Sequence, residues 1–153
     1  MKTTDGLRTL APLPIMFPDI ASLVPHRPPL LLLDALEDIQ GNRMRARFTV
    51  RADNIFLRDD GTLEDVALLE AMAQSFAAGC GLHVPNQPGY LAGVRHCRVT
   101  GVARLGDVLC ASASVMAQVG DIVVVEGSLA RGEEILATAE FKIHAPGAPR
   151  LVP

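Results

Sequence analysis

An ionisable side chain stands in the middle of an apolar segment, at Glu70 within residues 66–78 (VALLEAMAQSFAA). A carboxylate withdrawn from water loses much of its hydration, so its pKa should rise unless neighbouring groups compensate. Carboxyl groups perturbed in this way often serve as acids or bases. On a helix, Gln74 would lie one turn further along the same face, where it can hydrogen-bond the carboxyl group and fix its orientation. Glu70 is therefore the first candidate for a catalytic residue, with a structural carboxylate satisfied by loop amides as the alternative.

The histidines and the helical cysteine are weaker candidates. His26 precedes a strand, and a structural role is the simpler interpretation, with contact to a substrate as the alternative. His96 lies in a predicted strand, where it is expected to face solvent or a neighbouring side chain. His83 and His144 stand near the ends of predicted elements and should be exposed. Cys80 is expected to be a small core residue, because nothing nearby in the sequence would lower its pKa.

Composition excludes several classes of protein. The chain has 153 residues, of which 49% are hydrophobic, and a formal net charge of -3. These values are typical of a single domain with a buried core. The arginines are scattered, so nucleic acid is not an expected partner. Three widely separated cysteines without a CxxC pair argue against a disulfide framework and a zinc site. No motif for a nucleotide, metal or redox cofactor is present, so no cofactor is expected.

The sequence also bears on localisation. No apolar run approaches the roughly 20 residues that a membrane-spanning helix needs. Prolines interrupt the apolar residues at the N-terminus, which therefore does not resemble a signal peptide. A cytoplasmic protein without a membrane span is the expectation.

Periodicity in the sequence predicts an α+β domain. Residues 30–38 and 43–51 are predicted to form a hairpin, because the second segment alternates polar and apolar residues at every step. Thr62 is predicted to cap a helix that continues to about Ala78, with acidic residues in its first turn. That helix is apolar on nearly all faces, so it should be surrounded by other elements.

Four further strands are predicted to form an antiparallel meander after the helix. They cover residues 91–102, 108–119, 122–129 and 135–143. Two strands, one long helix and four strands give a sheet that can curl around the helix. The predicted organisation is an N-terminal arm (1–24) with a short turn at residues 19–23, one domain (25–147) and a C-terminal tail (148–153).

Three short motifs resemble those of a known family. Residues 25–34 (PHRPPLLLLD) resemble the PHRxPxLLxD segment that leads into the first strand of the hot-dog-fold 3-hydroxyacyl-ACP dehydratases of fatty acid synthesis. Residues 69–74 (LEAMAQ) are similar to the EAMAQ segment of their central helix, and Gly106 and Asp107 stand at their PGD turn. The similarity extends over about residues 20–145. It implies the hot-dog fold, in which an antiparallel sheet wraps around one long central helix.

The family's catalytic histidine has no counterpart in this sequence. In the family it lies fourteen residues before the helix carboxylate, a position that Phe56 occupies here. Phenylalanine cannot transfer a proton, and the chain looks most like the divergent, histidine-less members of aryl polyene type. The resemblance implies that Glu70 helps the substrate hydroxyl leave. Backbone amides near Asp65 and Val66 could polarise the thioester carbonyl, although Asp65 puts a negative charge where the family has glycine.

The resemblance implies a dehydratase-like lyase of fatty acid or polyene biosynthesis that acts on acyl-carrier-protein or CoA thioesters. Family enzymes are dimers, so a homodimer is expected. Because the acid is present and the base is missing, a heterodimer with a histidine-bearing paralogue, whose site Glu70 would complete, is a second arrangement. The alternatives are a hot-dog acyl thioesterase that uses the carboxylate as base or nucleophile, and a non-catalytic acyl-thioester binding or scaffold protein.

A row of arginines suggests where a carrier protein would bind. The alternating positions in the second predicted strand place these side chains on its solvent-facing side: Arg43, Arg45, Arg47 and Arg51. Acyl carrier protein is acidic, so the row is a candidate docking surface, and simple solvation of the strand is the alternative.

Overall fold

The computed structural model describes residues 15–150; residues 1–14 and 151–153, which include most of the predicted arm and part of the predicted tail, lie outside the described residues. Within residues 15–150, two helices and six strands follow one another. They are α1 (Ile20–Leu23), β1 (Ala35–Gln40), β2 (Arg43–Thr49), α2 (Asp65–Gly81), β3 (Tyr90–Val99), β4 (Val108–Val119), β5 (Ile122–Arg131) and β6 (Glu134–His144). The predicted sequence of two strands, one long helix and four strands is confirmed.

The six strands form one antiparallel sheet in the order β1-β2-β4-β5-β6-β3. The sheet curves around α2, so the large buried side chains of helix and sheet share one core. Phe48 and Phe141 from the sheet, with Leu68 and Met72 from α2, are among its largest fully buried members. Side chains in β2 alternate between buried and exposed as the sequence predicts. This is the antiparallel sheet around a central helix that the resemblance implies.

Several element boundaries differ from the predictions by two or more residues, and two of them lie next to the site. The first strand begins at Ala35 and not at Leu30, because the backbone groups of Leu30 and Leu32 bind the side chain of Gln74 and not a neighbouring strand. Helix α2 begins at Asp65, with Glu64 at the N-cap position. Thr62 does not cap it, because its hydroxyl and backbone N–H bind the Asp60 carboxylate in a turn before the helix.

Residues 23–32, called here the crossing segment, run across α2. At one end of this segment the backbone of Leu23 packs against Gly81, at the last turn of the helix. At the other end, the Gln74 side chain donates to the carbonyl of Leu30 and accepts from the N–H of Leu32. The crossing segment is therefore fixed to α2 at two points about ten residues apart along its length.

Replacing Gly81 by alanine should destabilise this contact. A Cβ at Gly81 would overlap the backbone carbonyl of Leu23, which also accepts a hydrogen bond from the N–H of Asn86. We expect Gly81→Ala to lower the free energy of unfolding by about 1–3 kcal/mol, measured by urea denaturation. Gly79→Ala is the comparison variant, because the three atoms nearest to its Cβ would belong to the Met44 side chain, which can shift more easily than backbone. Equal losses in the two variants would contradict the steric explanation.

Candidate active site

Glu70 lies near the middle of α2, on the wall of a cavity of about 140 Å³. Its side chain is 34% exposed, so the carboxyl group is only partly withdrawn from water. The cavity is formed by α2, the beginning of the crossing segment, the loop before β3 and the ends of β3 and β6. Its lining is mostly apolar: Pro25, Ala73, Phe76, Ala77, Pro88, Leu91, Ile143 and Ala145 belong to it. A partly exposed acid beside an apolar cavity is a common arrangement in ligand sites.

Gln74 holds the carboxyl group of Glu70 from one side. Its Nε2 donates a 2.7 Å hydrogen bond to Glu70 Oε1, which is the i,i+4 contact that the sequence predicts. The same amide also donates to the Leu30 carbonyl at 2.7 Å and accepts from the Leu32 N–H at 2.9 Å. Gln74 is fully buried. Its side-chain orientation is therefore fixed by the backbone of the crossing segment, and it fixes Glu70 in turn.

His26 approaches Glu70 from the crossing segment. Its Nε2 lies 3.4 Å from Glu70 Oε1, an ion-pair distance that is longer than a typical N–H···O hydrogen bond. The other ring nitrogen, Nδ1, is buried and has no hydrogen-bond partner among residues 15–150. The sequence favoured a structural role for His26, with contact to a substrate as the alternative. No local signal could have placed this ring beside a carboxylate 44 positions further along the chain.

The neighbours of Glu70 determine its ionisation. Contact with His26 lowers the pKa of Glu70 most, burial opposes that effect, and the hydrogen bond from Gln74 lowers the pKa further. The net result is a pKa below the usual value of a glutamate. The neighbouring groups therefore more than compensate for burial, a possibility that the sequence left open. Glu70 is therefore ionised at neutral pH. Its depressed pKa favours the folded state above the unfolded-state pKa, and this contribution is lost as the pH falls through the folded-state pKa.

The residues at the start of α2 do not join this cavity. Asp65 and Val66 are exposed and lie at least one helical turn from Glu70, and neither lines the cavity. Phe56 is partly buried and packs against the core, and its carbonyl accepts the N–H of Glu64 just before the helix. The thioester-polarising amides predicted near Asp65 and Val66 are thus separated from the Glu70 cavity within one protomer.

Cys80 also lines the cavity, about three turns beyond Glu70 on α2. The thiol is 2% exposed, and burial raises the pKa of Cys80 to about 12. Cys80 is therefore protonated at neutral pH and is a poor nucleophile. Within the described part of the chain no cluster of histidine, cysteine and acidic residues could hold a metal ion. None of the helices in residues 15–150 is long and apolar enough to cross a membrane.

A sheet curled around a helix that carries a carboxylate and an adjacent apolar cavity defines a hot-dog-fold protein with a candidate acid–base site. The chain belongs to the ApeP-like family, whose model, described as ApeP dehydratase, matches residues 18–151. The implied resemblance to hot-dog dehydratases is confirmed by this match, which places the chain in a dehydratase family. Catalysis by the chain itself is a separate question.

Characterised relatives are similar over most of their length. The 3-hydroxyacyl-[acyl-carrier-protein] dehydratase FabZ of Caldanaerobacter subterraneus subsp. tengcongensis is 32% identical over 134 residues, which cover 80% of this chain and 92% of the relative. FabZ of Natranaerobius thermophilus is 32% identical over 132 residues, with the same coverage. The family and the relatives agree on the class of protein.

Solved structures share the fold. The dehydratase heterocomplex ApeI:P from Xenorhabdus doucetiae contains a chain with a TM-score of 0.79 and 24% identity, which covers 86% of this chain and 93% of that chain. A hypothetical thioesterase from Streptococcus pneumoniae, solved with coenzyme A, has a TM-score of 0.61 and 16% identity and covers 74% of this chain and 86% of that chain. At these identities the comparisons establish the hot-dog fold alone.

Proposed function

We propose that this chain is the carboxylate-bearing subunit of a 3-hydroxyacyl-thioester dehydratase, and that its site is completed by a histidine from a partner subunit. The observation that carries the proposal is Glu70, ionised and held by Gln74 at the wall of an apolar cavity. The position where dehydratases of this family carry their histidine is occupied by Phe56. The chain therefore has an oriented carboxylate without the family's base.

Dehydration can be divided between the two subunits. The partner's histidine would take the proton from C2 of the substrate, and the electron pair of that C–H bond would form the C2=C3 double bond. The C3–O bond breaks, and the departing hydroxyl takes a proton from the imidazolium and leaves as water, which restores the histidine. Glu70 is ionised and cannot supply that proton. Its part is to accept a hydrogen bond from the substrate hydroxyl and align it.

A partner subunit is supported by two kinds of observation. The ApeI:P structure, which contains a chain with the same fold, is named a dehydratase heterocomplex. In this chain β3 is an edge strand whose side chains are exposed along nearly its whole length, including Tyr90, Leu91 and Val94. An exposed edge with apolar side chains favours pairing with a second subunit. The cavity lies beside the first residues of this strand.

Reconstitution tests the proposal. A 3-hydroxyacyl-carrier-protein is incubated with the chain alone, with a histidine-bearing dehydratase paralogue alone, and with the co-purified pair, and the products are measured by mass spectrometry. Loss of water that requires the pair is expected. Water loss by the chain alone would show that it needs no partner histidine. Loss of the acyl group would indicate a thioesterase, and an unchanged substrate in all three would leave a binding or scaffold role.

The arginine row on β2 is a second testable feature. Arg47 and Arg51 are neutralised by ion pairs with Asp34, and Arg47 also contacts Glu37. Arg43 and Arg45 have no carboxylate at ion-pair distance among the described residues. We therefore expect these two positive charges to be the ones available to an acidic carrier protein.

Reversing both charges, Arg43→Glu with Arg45→Glu, should weaken carrier-protein binding by about tenfold or more at low salt, and by less at high salt. Isothermal titration calorimetry at two ionic strengths measures the effect. Lys142→Glu, an exposed charge reversal on β6, is the control. Unchanged affinity in the double variant would mean that the arginines only solvate the strand.

A further inference from the structure

We propose that His26 is a positioning residue for Glu70: together with Gln74 it holds one carboxylate oxygen, Oε1, and so leaves Oε2 for the substrate hydroxyl. This inference rests on the proposed function, because it assigns Glu70 the part of a hydrogen-bond acceptor in dehydration. Both contacts that the structure gives the carboxylate end on Oε1, from Gln74 Nε2 at 2.7 Å and from His26 Nε2 at 3.4 Å. Oε2 has no partner among residues 15–150.

The surroundings of the imidazole indicate which nitrogen carries its proton. An N–H at Nδ1 would be buried without an acceptor, which is costly, whereas an N–H at Nε2 faces the Glu70 carboxylate, which can only accept. The proton of the neutral ring is therefore on Nε2, the nitrogen that faces Glu70. In that tautomer His26 is a donor to the carboxylate. In the same tautomer Nδ1 carries no proton and has no hydrogen bond to donate.

The crossing segment keeps His26 in place. Arg27 folds back so that its Nη1 donates to the carbonyls of Val24 at 2.8 Å and His26 at 2.7 Å. On one side of this turn Leu23 packs against Gly81, and on the other side Gln74 binds the backbone of Leu30 and Leu32. The imidazole is thus attached to the same helix that carries Glu70. A rigid support of this kind is what a positioning role requires.

His26 is also the main ionisable neighbour of Glu70. Of the two crossing-segment residues in the cavity wall, Pro25 and His26, only His26 titrates; besides Glu70, the titratable residue that α2 contributes is Cys80, which remains protonated. The remaining cavity-lining residues come from the loop before β3, from β3 and from the end of β6 with the residue after it, and none of them titrates: Gln87, Pro88, Gly89, Leu91, Ile143 and Ala145. Removing His26 should therefore change the ionisation of Glu70, and no other group in the wall can replace it.

Direct titration of Glu70 tests the positioning role without an activity assay. The side-chain carboxyl is followed by carbon-13 NMR in glutamate-labelled protein, and its signal is assigned by its loss in Glu70→Gln. We expect the midpoint to move to higher pH in His26→Ala, and to move back toward the wild-type value in His26→Gln, whose amide keeps a donor. His83→Ala, an exposed histidine just beyond α2, should leave the midpoint unchanged. An unchanged midpoint in folded His26→Ala would overturn the proposal.

If His26→Ala does not fold, His26→Phe keeps a ring in the same space without a donor and should show the same rise. The reconstituted pair provides the functional counterpart: the acid limb of the kcat/KM profile should move to higher pH in His26→Ala and return in His26→Gln. Each pH unit of that movement lowers the ionised fraction of Glu70 about tenfold on the acid limb. If the Glu70 midpoint shifts in His26→Ala but the reconstituted wild-type pair does not dehydrate the substrate, only the proposed function is rejected. If the wild-type pair is active but the Glu70 midpoint is unchanged in His26→Ala, only the role of His26 is rejected.

Discussion

Glu70→Gln in the reconstituted pair is expected to reduce the rate of dehydration by about 10²–10³-fold, the range typical of losing one preorganised electrostatic contact to the reacting group. The substituted amide has nearly the same shape, and its oxygen can still accept the hydrogen bond from Gln74. What it loses is the negative charge that would attract the substrate hydroxyl and stabilise the protonated histidine of the partner. The variant should therefore bind the partner and the carrier protein normally and fail mainly in kcat.

Single-turnover mass spectrometry of the pair measures this loss, and co-purification verifies that the subunits still assemble. Glu64→Gln is the matched control: Glu64 stands before α2, is exposed, and makes no side-chain capping bond. Glu64→Gln removes an equal charge at the N-terminal end of the same helix, about nine ångströms from Glu70 along the helix axis. A Glu70→Gln pair with nearly normal turnover would mean that Glu70 is a structural carboxylate and that another group aligns the hydroxyl.

The strands and the long helix were predictable because each has a strong local signal. Alternation of polar and apolar residues in β2 marks a strand with one exposed face, and an apolar segment as long as α2 marks a surrounded helix. The errors lie at the ends of elements. Leu30–Leu33 have the composition of a strand, but the Gln74 side chain from α2 hydrogen-bonds their backbone in place of a neighbouring strand. That contact depends on the tertiary fold.

The candidate site was predictable only where it is local. Glu70 and Gln74 are four residues apart on one helix, so their contact follows from helical geometry. His26 reaches Glu70 only because the crossing segment passes over the helix, and the pattern PHRPP carries no information about that path. The direction of the Glu70 pKa has the same origin. Burial alone would raise the pKa, and the contacts from His26 on the crossing segment and Gln74 on α2 reverse the sign.

The second large effect is expected for Gln74→Leu, which should lower the free energy of unfolding by about 3 kcal/mol or more. Leucine fills a similar volume, so the loss comes from polar groups and not from a cavity. The N–H of Leu32 and the carbonyl of Leu30 would both lose their partner, and Gln74 itself is fully buried. Urea denaturation of the isolated chain measures the change. Ser75→Ala is the control, because this buried hydroxyl binds only the Met72 carbonyl of its own helix.

Gln74→Glu separates the two tasks of this side chain. A carboxylate at this position can still accept the N–H of Leu32, but it cannot donate to Leu30 or to Glu70. It also places a second negative charge beside Glu70, which disfavours ionisation of both groups and should raise the pKa of Glu70. We therefore expect a smaller loss of stability than in Gln74→Leu at acid pH, together with a Glu70 titration moved to higher pH. If Gln74→Glu left that titration unchanged, Gln74 would serve only to fasten the crossing segment, and His26 alone would determine the ionisation of Glu70.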